Sequence, residues 1–261
     1  MDRRMETVRR LLKEAGTLIR HSRPQSVSVK STFDYVTDLD EAVDVLLTEG
    51  LARWDPAIPV LSEERAFEGT APPDTLWLID PVDGTHNLMA DIPFFAVCVA
   101  LIEKGGISLA AVYDIMADRL FWAMDGLGAF CNDRALHLPG DPPALIACST
   151  GALDALAADA ALYTQCRSIG KLRNLGCQSL HLCAVASGVV AAALSKEAKI
   201  WDDAAGRYIA EQAGAEYASF ASQESLMTAF LSKSEMRSLC LHPRLAPSLL
   251  APVQRLFGSE G

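Results

Sequence analysis

The chain has 261 residues, half of them hydrophobic, and its 33 acidic and 23 basic side chains give a formal net charge of -10. A chain of this length buries a large core, and its apolar content argues against disorder. The negative balance argues against nucleic acid or an anionic membrane surface as the main partner.

No apolar run reaches the roughly 20 residues needed to span a bilayer, and Met1-Asp2-Arg3-Arg4 does not open a signal peptide. The seven cysteines form no Cys-x-x-Cys pair. Several lie in apolar surroundings, so they read as reduced buried thiols of a cytoplasmic protein.

In chain order, Met5, Val8, Leu11, Leu12, Ala15, Leu18 and Ile19 recur at helical spacing and predict an amphipathic first helix. Residues 22–31 read as a polar connector. Asp38 and Glu41 read as a capping pair opening a second helix through Ala42, Val45, Leu46 and Leu51 to about Ala52. Short apolar runs at 95–102, 107–112 and 120–123, separated by Gly105-Gly106 and followed by Asp125-Gly126, predict an antiparallel meander. The alanine- and proline-rich stretch 139–162 reads as the boundary between an N-terminal half, 1–140, and a C-terminal half, 141–261. A strand at 144–148, a helix at 179–187 and a strand at 189–194 follow from the pattern, giving a mixed helix and sheet protein of the α+β class.

The most informative segment is Trp77-Leu78-Ile79-Asp80-Pro81-Val82-Asp83-Gly84-Thr85. A strand buried on both faces runs through Leu76–Ile79, and Pro81, lacking an amide hydrogen, is expected to stop its ladder. Two carboxylates a few ångströms apart repel by roughly 4 kcal/mol at an effective dielectric near 20, so the pair favours a cation or a shared proton. A hard divalent cation suits carboxylate oxygens. Gly84 permits a close backbone approach, and amides at the start of a following helix favour an anion. Two further acidic clusters, Glu63-Glu64 after the apolar run 58–61 and Asp202-Asp203 at a predicted helix start, complete three acidic clusters at element ends.

These blocks resemble the inositol monophosphatase family, the Mg2+-dependent, lithium-sensitive phosphomonoesterases. The resemblance rests on Leu61-Ser62-Glu63-Glu64, Asp80-Pro81-Val82-Asp83-Gly84-Thr85 with Asn87, and Trp201-Asp202 with Ala204-Ala205-Gly206. Weaker matches are Val36-Thr37-Asp38-Leu39-Asp40, preceded by Lys30, and Gly176 with Ser179-Leu180 and 185–188. It implies the layered αβαβα sandwich of the sugar phosphatases, a homodimer, and hydrolysis of a small phosphorylated metabolite by metal-activated water.

By residue-level match, Glu63, Asp80, the carbonyl of Val82, Asp83 and Asp202 would ligate two or three Mg2+ ions, with Asp83 bridging two of them. Glu63 and Thr85 would activate water, with Asp40 polarising Thr85. The phosphate would rest on Gly84 and Thr85, while Asp83, Gln178, Ser195 and Asp202 would face the rest of the substrate. Glu64 and Asp203 read as supporting or solvated acids, Trp77 and Trp201 as packing residues, and His86 and His181 as lacking zinc spacing. Inositol monophosphate is the first substrate to test. Activity on 3'(2'),5'-bisphosphate nucleotides, fructose 1,6-bisphosphate or histidinol phosphate, and a catalytically idle metal- or phosphate-binding module, are the alternatives.

Overall fold

In the computed structural model, residues 2–31, 34–65, 73–220, 230 and 232–258 are described. Helices α1 (Arg3–Arg20) and α2 (Asp38–Trp54) cover one face of a seven-stranded sheet. Its strands, in spatial as in chain order, are β3 (Val60–Ser62), β4 (Thr75–Asp83), β5 (Ala96–Glu103), β6 (Gly106–Asp114), β7 (Arg119–Met124), β8 (Gly128–Cys131) and β9 (Arg134–Ala135). Only the β3–β4 pair is parallel, and β5 to β9 form the expected meander.

Strand alternation builds two cores at once. Trp77 and Ile79 face Val8, Leu12, Val43 and Leu47 of α1 and α2. Leu76 and Leu78 point the other way, toward α6 (Gln178–Ala186) and α7 (Ile200–Gln212). Those two helices form the middle layer, and Gly206 lets them close on each other: a Cβ there would lie 2.8 Å from that of Leu182. Beyond them lies a five-stranded sheet of order β11-β10-β12-β14-β13, comprising β10 (Leu145–Cys148), β11 (Lys171–Arg173), β12 (Ala192–Ser195), β13 (Glu216–Ser219) and β14 (Ser238–Leu241). Helices α4 (Thr150–Ala158), α5 (Ala160–Ile169) and α8 (Ala246–Gly258) cover its outer face. The layers therefore run αβαβα, as the resemblance implies. Within the stretch 139–162 lie β10, α4 and the start of α5.

Three local expectations are corrected. Residues 27–31, inside the supposed connector, form a strand, β1 (Val27–Ser31), paired with β2 (Asp34–Thr37); all five of its side chains are exposed, so it leaves no burial signature. Helix α2 is capped by Thr37, whose hydroxyl accepts from the Leu39 amide while Asp40 accepts from the Thr37 amide. Asp38 instead accepts from the amides of Gln25 and Ser26 at 2.8 and 3.1 Å. Pro81, finally, does not end β4. Asp80 pairs with Cys98 and Asp83 with Ala96, so three steps on β4 match two on β5, a bulge that absorbs the missing amide hydrogen.

Candidate active site

The bulge decides which way the acids point. On a regular strand, side chains three residues apart face opposite sides of the sheet. One extra residue restores Asp83 to the α6 side, with Asp80, while Val82 packs into the core beneath α1 and α2. Asp80 is fully buried, and its Oδ1 accepts from the Val82 amide at 3.0 Å, but its Oδ2 accepts no hydrogen bond.

Asp202 approaches from the first turn of α7, where its Oδ2 accepts from the Lys199 amide at 2.8 Å. Glu63 arrives just after β3, because its parallel pairing with β4 brings the two strand ends side by side. Glu63, Asp80 and Asp202 each offer a carboxylate oxygen, and the three oxygens lie within 4.8 Å of one another. Burial, then the charges of Glu63, Asp202 and Asp83, push the Asp80 carboxyl well above its usual range. Burial and the charges of Asp83 and Glu63 do the same to Asp202. An isolated cluster of this kind favours protons, and a divalent cation would replace them.

Asp83 has a second occupation. Its carboxylate accepts from the amides of Ser179 at 2.6 Å and Gln178 at 3.3 Å, and from the Cys177 thiol at 3.1 Å. It thus supplies the cap that the N-terminus of α6 lacks from its own neighbours. Burial raises its pKa and those bonds oppose the rise. Asp80, and not Asp83, belongs both to the group with Glu63 and Asp202 and to a second group with Asp83 and Cys98.

Beside the acids, Gly84 adopts φ 98° and leads into the short helix α3 (Thr85–Met89). A side chain there would be strained, and its Cβ would lie 3.2 Å from Phe95 Cβ and from the carbonyls of Phe94 and Gly176. The Thr85 hydroxyl lies 3.1 Å from both Asp40 Oδ1 and the Val82 carbonyl, so its one hydrogen is directed to this pair and its lone pairs are left for another donor. Asp40 is buried, which raises its pKa against the bonds from Thr37 and Thr85. Asn87 fastens the neighbouring loops, donating from Nδ2 to the carbonyls of Phe94 and Leu175, both at 2.7 Å.

Lys30, on the exposed hairpin strand β1, reaches Glu63 at 2.9 Å and Glu64 at 2.7 Å. Burial opposes its charge, but the two glutamates outweigh that and hold its pKa above the ordinary range. Glu64, far from solvated, has a side chain only 10% exposed, and burial and Glu63 push it up to about 7. Asp203 is wholly buried: it accepts from Gln178 Nε2 at 2.7 Å and from the Tyr217 hydroxyl at 2.6 Å. Ser195 is also buried, and its hydroxyl accepts from the Ala198 amide in the turn before α7. His86 meets the Tyr35 ring edge-on, and His181 is buried and accepts from the Leu175 amide at 3.2 Å.

Carboxylates thus gather beside the Gly84 turn in an αβαβα frame, and the chain is a phosphoric monoester hydrolase. The inositol monophosphatase family model matches residues 1–255, and the chain belongs to that family. Inositol monophosphatase 2 of Solanum lycopersicum is 34% identical over 219 residues, covering 77% of this chain and 82% of that one. Nus factor SuhB of Pasteurella multocida is 30% identical over 249 residues, covering 89% and 87%. A solved IMPase/NADP phosphatase complexed with Mg2+ and phosphate shares the fold at a TM-score of 0.80 and 22% identity, covering 98% of this chain and 95% of that one.

Proposed function

We propose that the chain hydrolyses a small phosphate monoester of a polyol or sugar, with inositol monophosphate the first candidate, and that Mg2+ is its cofactor. Glu63, Asp80, the Val82 carbonyl, Asp83 and Asp202 would hold two or three ions. The observation that carries this reading is the buried Asp80 Oδ2, which has no hydrogen-bond donor and sits among carboxylates that repel it. An all-oxygen donor set of this charge fits Mg2+, and the complex of the IMPase/NADP phosphatase with Mg2+ and phosphate supports the choice. When bound, the cation supplies stabilisation of the negative charge on the phosphate oxygens.

The chain's own groups account for the rest. Glu63 accepts the proton of the attacking water. Thr85 donates toward Asp40 and so turns an oxygen lone pair to the same water, which fixes its orientation. The amides of Gly84 and Thr85 hold the phosphate, and Asp83, Gln178, Ser195 and Asp202 border the space for the alcohol.

A panel of phosphate esters assayed with Mg2+ and again with added lithium tests the reading. Inositol phosphate turnover that needs Mg2+ and falls with lithium supports it; turnover confined to a bisphosphate nucleotide, fructose 1,6-bisphosphate or histidinol phosphate would reassign the substrate. A second reading, a binding role, is supported by the identity to a protein named as a Nus factor. Ligand binding without turnover across the panel would favour it. The homodimer implied by the resemblance is tested by sedimentation. Among the described residues, no helix is long and apolar enough to cross a membrane.

A further inference from the structure

We propose that the cavity between the end of α1, the start of α2 and the connector 22–26 binds a small phosphorylated metabolite through its dianionic phosphate, and that occupation slows turnover at the active site. The inhibitory part rests on the phosphatase reading above; the binding part does not.

The cavity measures about 500 Å³, within the range of sites that hold small ligands. Although the chain carries a net charge of -10, this wall presents Arg20, His21 and Arg23 against one acid, Asp38. Asp38 is turned to the connector itself, where it accepts from the amides of Gln25 and Ser26 at 2.8 and 3.1 Å. The cations are left to face an anion.

These donors are held in place before any ligand arrives, which lowers the ordering cost of binding. Arg20 Nη1 donates to the Tyr113 hydroxyl and the Ile115 carbonyl, both at 2.9 Å. Both bonds come from one nitrogen, so Nε and Nη2 keep the planar fork of donors that suits a phosphate. His21 Nδ1 donates to the Thr17 carbonyl at 2.8 Å, which orients the ring. Gln25 Nε2 donates to the Arg23 carbonyl at 2.9 Å and fixes the path of the connector.

Two links run from the cavity to the active site. Arg23 forms an ion pair with Asp91, two residues beyond the end of α3, the helix that opens with Thr85. A phosphate dianion outcompetes the single charge of Asp91 for Arg23 and releases the turn behind α3. On the opposite wall, Leu39 precedes Asp40, whose carboxylate lies 3.1 Å from the Thr85 hydroxyl. Both partners of the Thr85–Asp40 contact therefore sit on elements tied to the cavity.

The test uses methylphosphonate, a dianion in mildly alkaline buffer whose carbon–phosphorus bond a phosphomonoesterase does not cleave. Phosphorus NMR follows its titration into the metal-free full chain at constant ionic strength. One saturable equivalent is expected in the wild type and in Lys171→Gln, on the exposed end of β11. Affinity at least tenfold weaker in Arg20→Gln and in Arg23→Gln supports the site; a smaller change in either, or no saturation in the wild type, overturns it. Should Arg20→Gln not fold, Arg23→Gln decides alone, since its side chain is 71% exposed. In Mg2+-supported turnover, methylphosphonate is expected to lower wild-type kcat at least threefold. Arg23→Gln, already released from Asp91, starts at the lower kcat and responds no further. Purely competitive inhibition of the wild type overturns the inhibitory part. Absence of turnover on every ester would sink the phosphatase reading and leave the NMR result standing, whereas loss of NMR binding with turnover intact would sink this site alone.

Discussion

Gln178 Nε2 donates to Asp203 Oδ1 across 2.7 Å, joining the first residue of α6 to the acid that follows Asp202 on α7. The same Gln178 donates its amide to Asp83, so one residue ties together the two helices that deliver carboxylates. Asp203 is fully buried, with the Tyr217 hydroxyl as its other donor. Asparagine at this position keeps one acceptor and leaves one of these donors unmatched. Asp203→Asn is therefore expected to cost about 1–3 kcal/mol in urea unfolding, the range for an unsatisfied buried polar group. An unchanged midpoint would mean that the pair does not bind the helices together.

Asp80 and Asp83 respond oppositely to neutralisation. Asp80 suffers burial and repulsion against which it has one amide donor, at Oδ1, and none at Oδ2, so Asp80→Asn raises the stability of the metal-free protein, by about 2–4 °C in Tm for each kcal/mol gained. Asp83→Asn weakens the cap on α6 and lowers Tm. Both abolish turnover. Thermal melts with and without Mg2+ check this, and a fall in Tm for Asp80→Asn contradicts the electrostatic account.

For the same reason, pH acts on the metal-free chain through Asp80 and Asp202. Their folded pKa values lie above the unfolded value near 3.8. The stability they contribute is fully present below that pH and is lost as pH rises through the raised folded values. Added Mg2+ is expected to remove the loss near neutrality. A metal-free Tm that does not fall with rising pH in the wild type relative to Asp80→Asn would count against it.

His181 acts in the other direction. Burial depresses its pKa from 6.5 to about 4, and its Nε2 must stay unprotonated to accept from the Leu175 amide. The unfolded state binds the proton first, so stability falls as pH drops from about 6.5 toward 4, by up to about 3 kcal/mol. Urea unfolding across that window, with His181→Gln as the control that removes this increment, measures it.

Thr85→Ala keeps the backbone amides and loses the hydroxyl beside Asp40. We expect kcat to fall by roughly 10²–10⁴ with KM little changed, as for a lost proton-directing group, and Thr85→Ser to recover most of the rate. Equal losses in kcat and in Tm would assign the hydroxyl to folding instead.

The apolar run ahead of Asp80, the glycine at 84 and the amphipathic pattern of α1 are local consequences of residue order, and each is legible in the chain. Periodicity also gives the meander, because its strands pair with their chain neighbours. The β1 hairpin strand is not legible, since all five of its residues are exposed and no apolar face marks it. Nor is the Thr37 cap, which competes with equally plausible acids at 38 and 41.

What the sequence determines is the chemistry available: carboxylates at element ends, a glycine that lets the turn form, and a hydroxyl next to it. The tertiary structure decides which of them act together. Asp80 and Asp83 share a face only because a bulge at Pro81 shifts the strand parity. Glu63 and Asp202 join them only because parallel pairing and helix packing close gaps of roughly 17 and 120 residues. Asp203 gains its partners, Gln178 and Tyr217, in the same way. Distance along the chain carries no information about such contacts, because burial and pairing energies are set by neighbours in space.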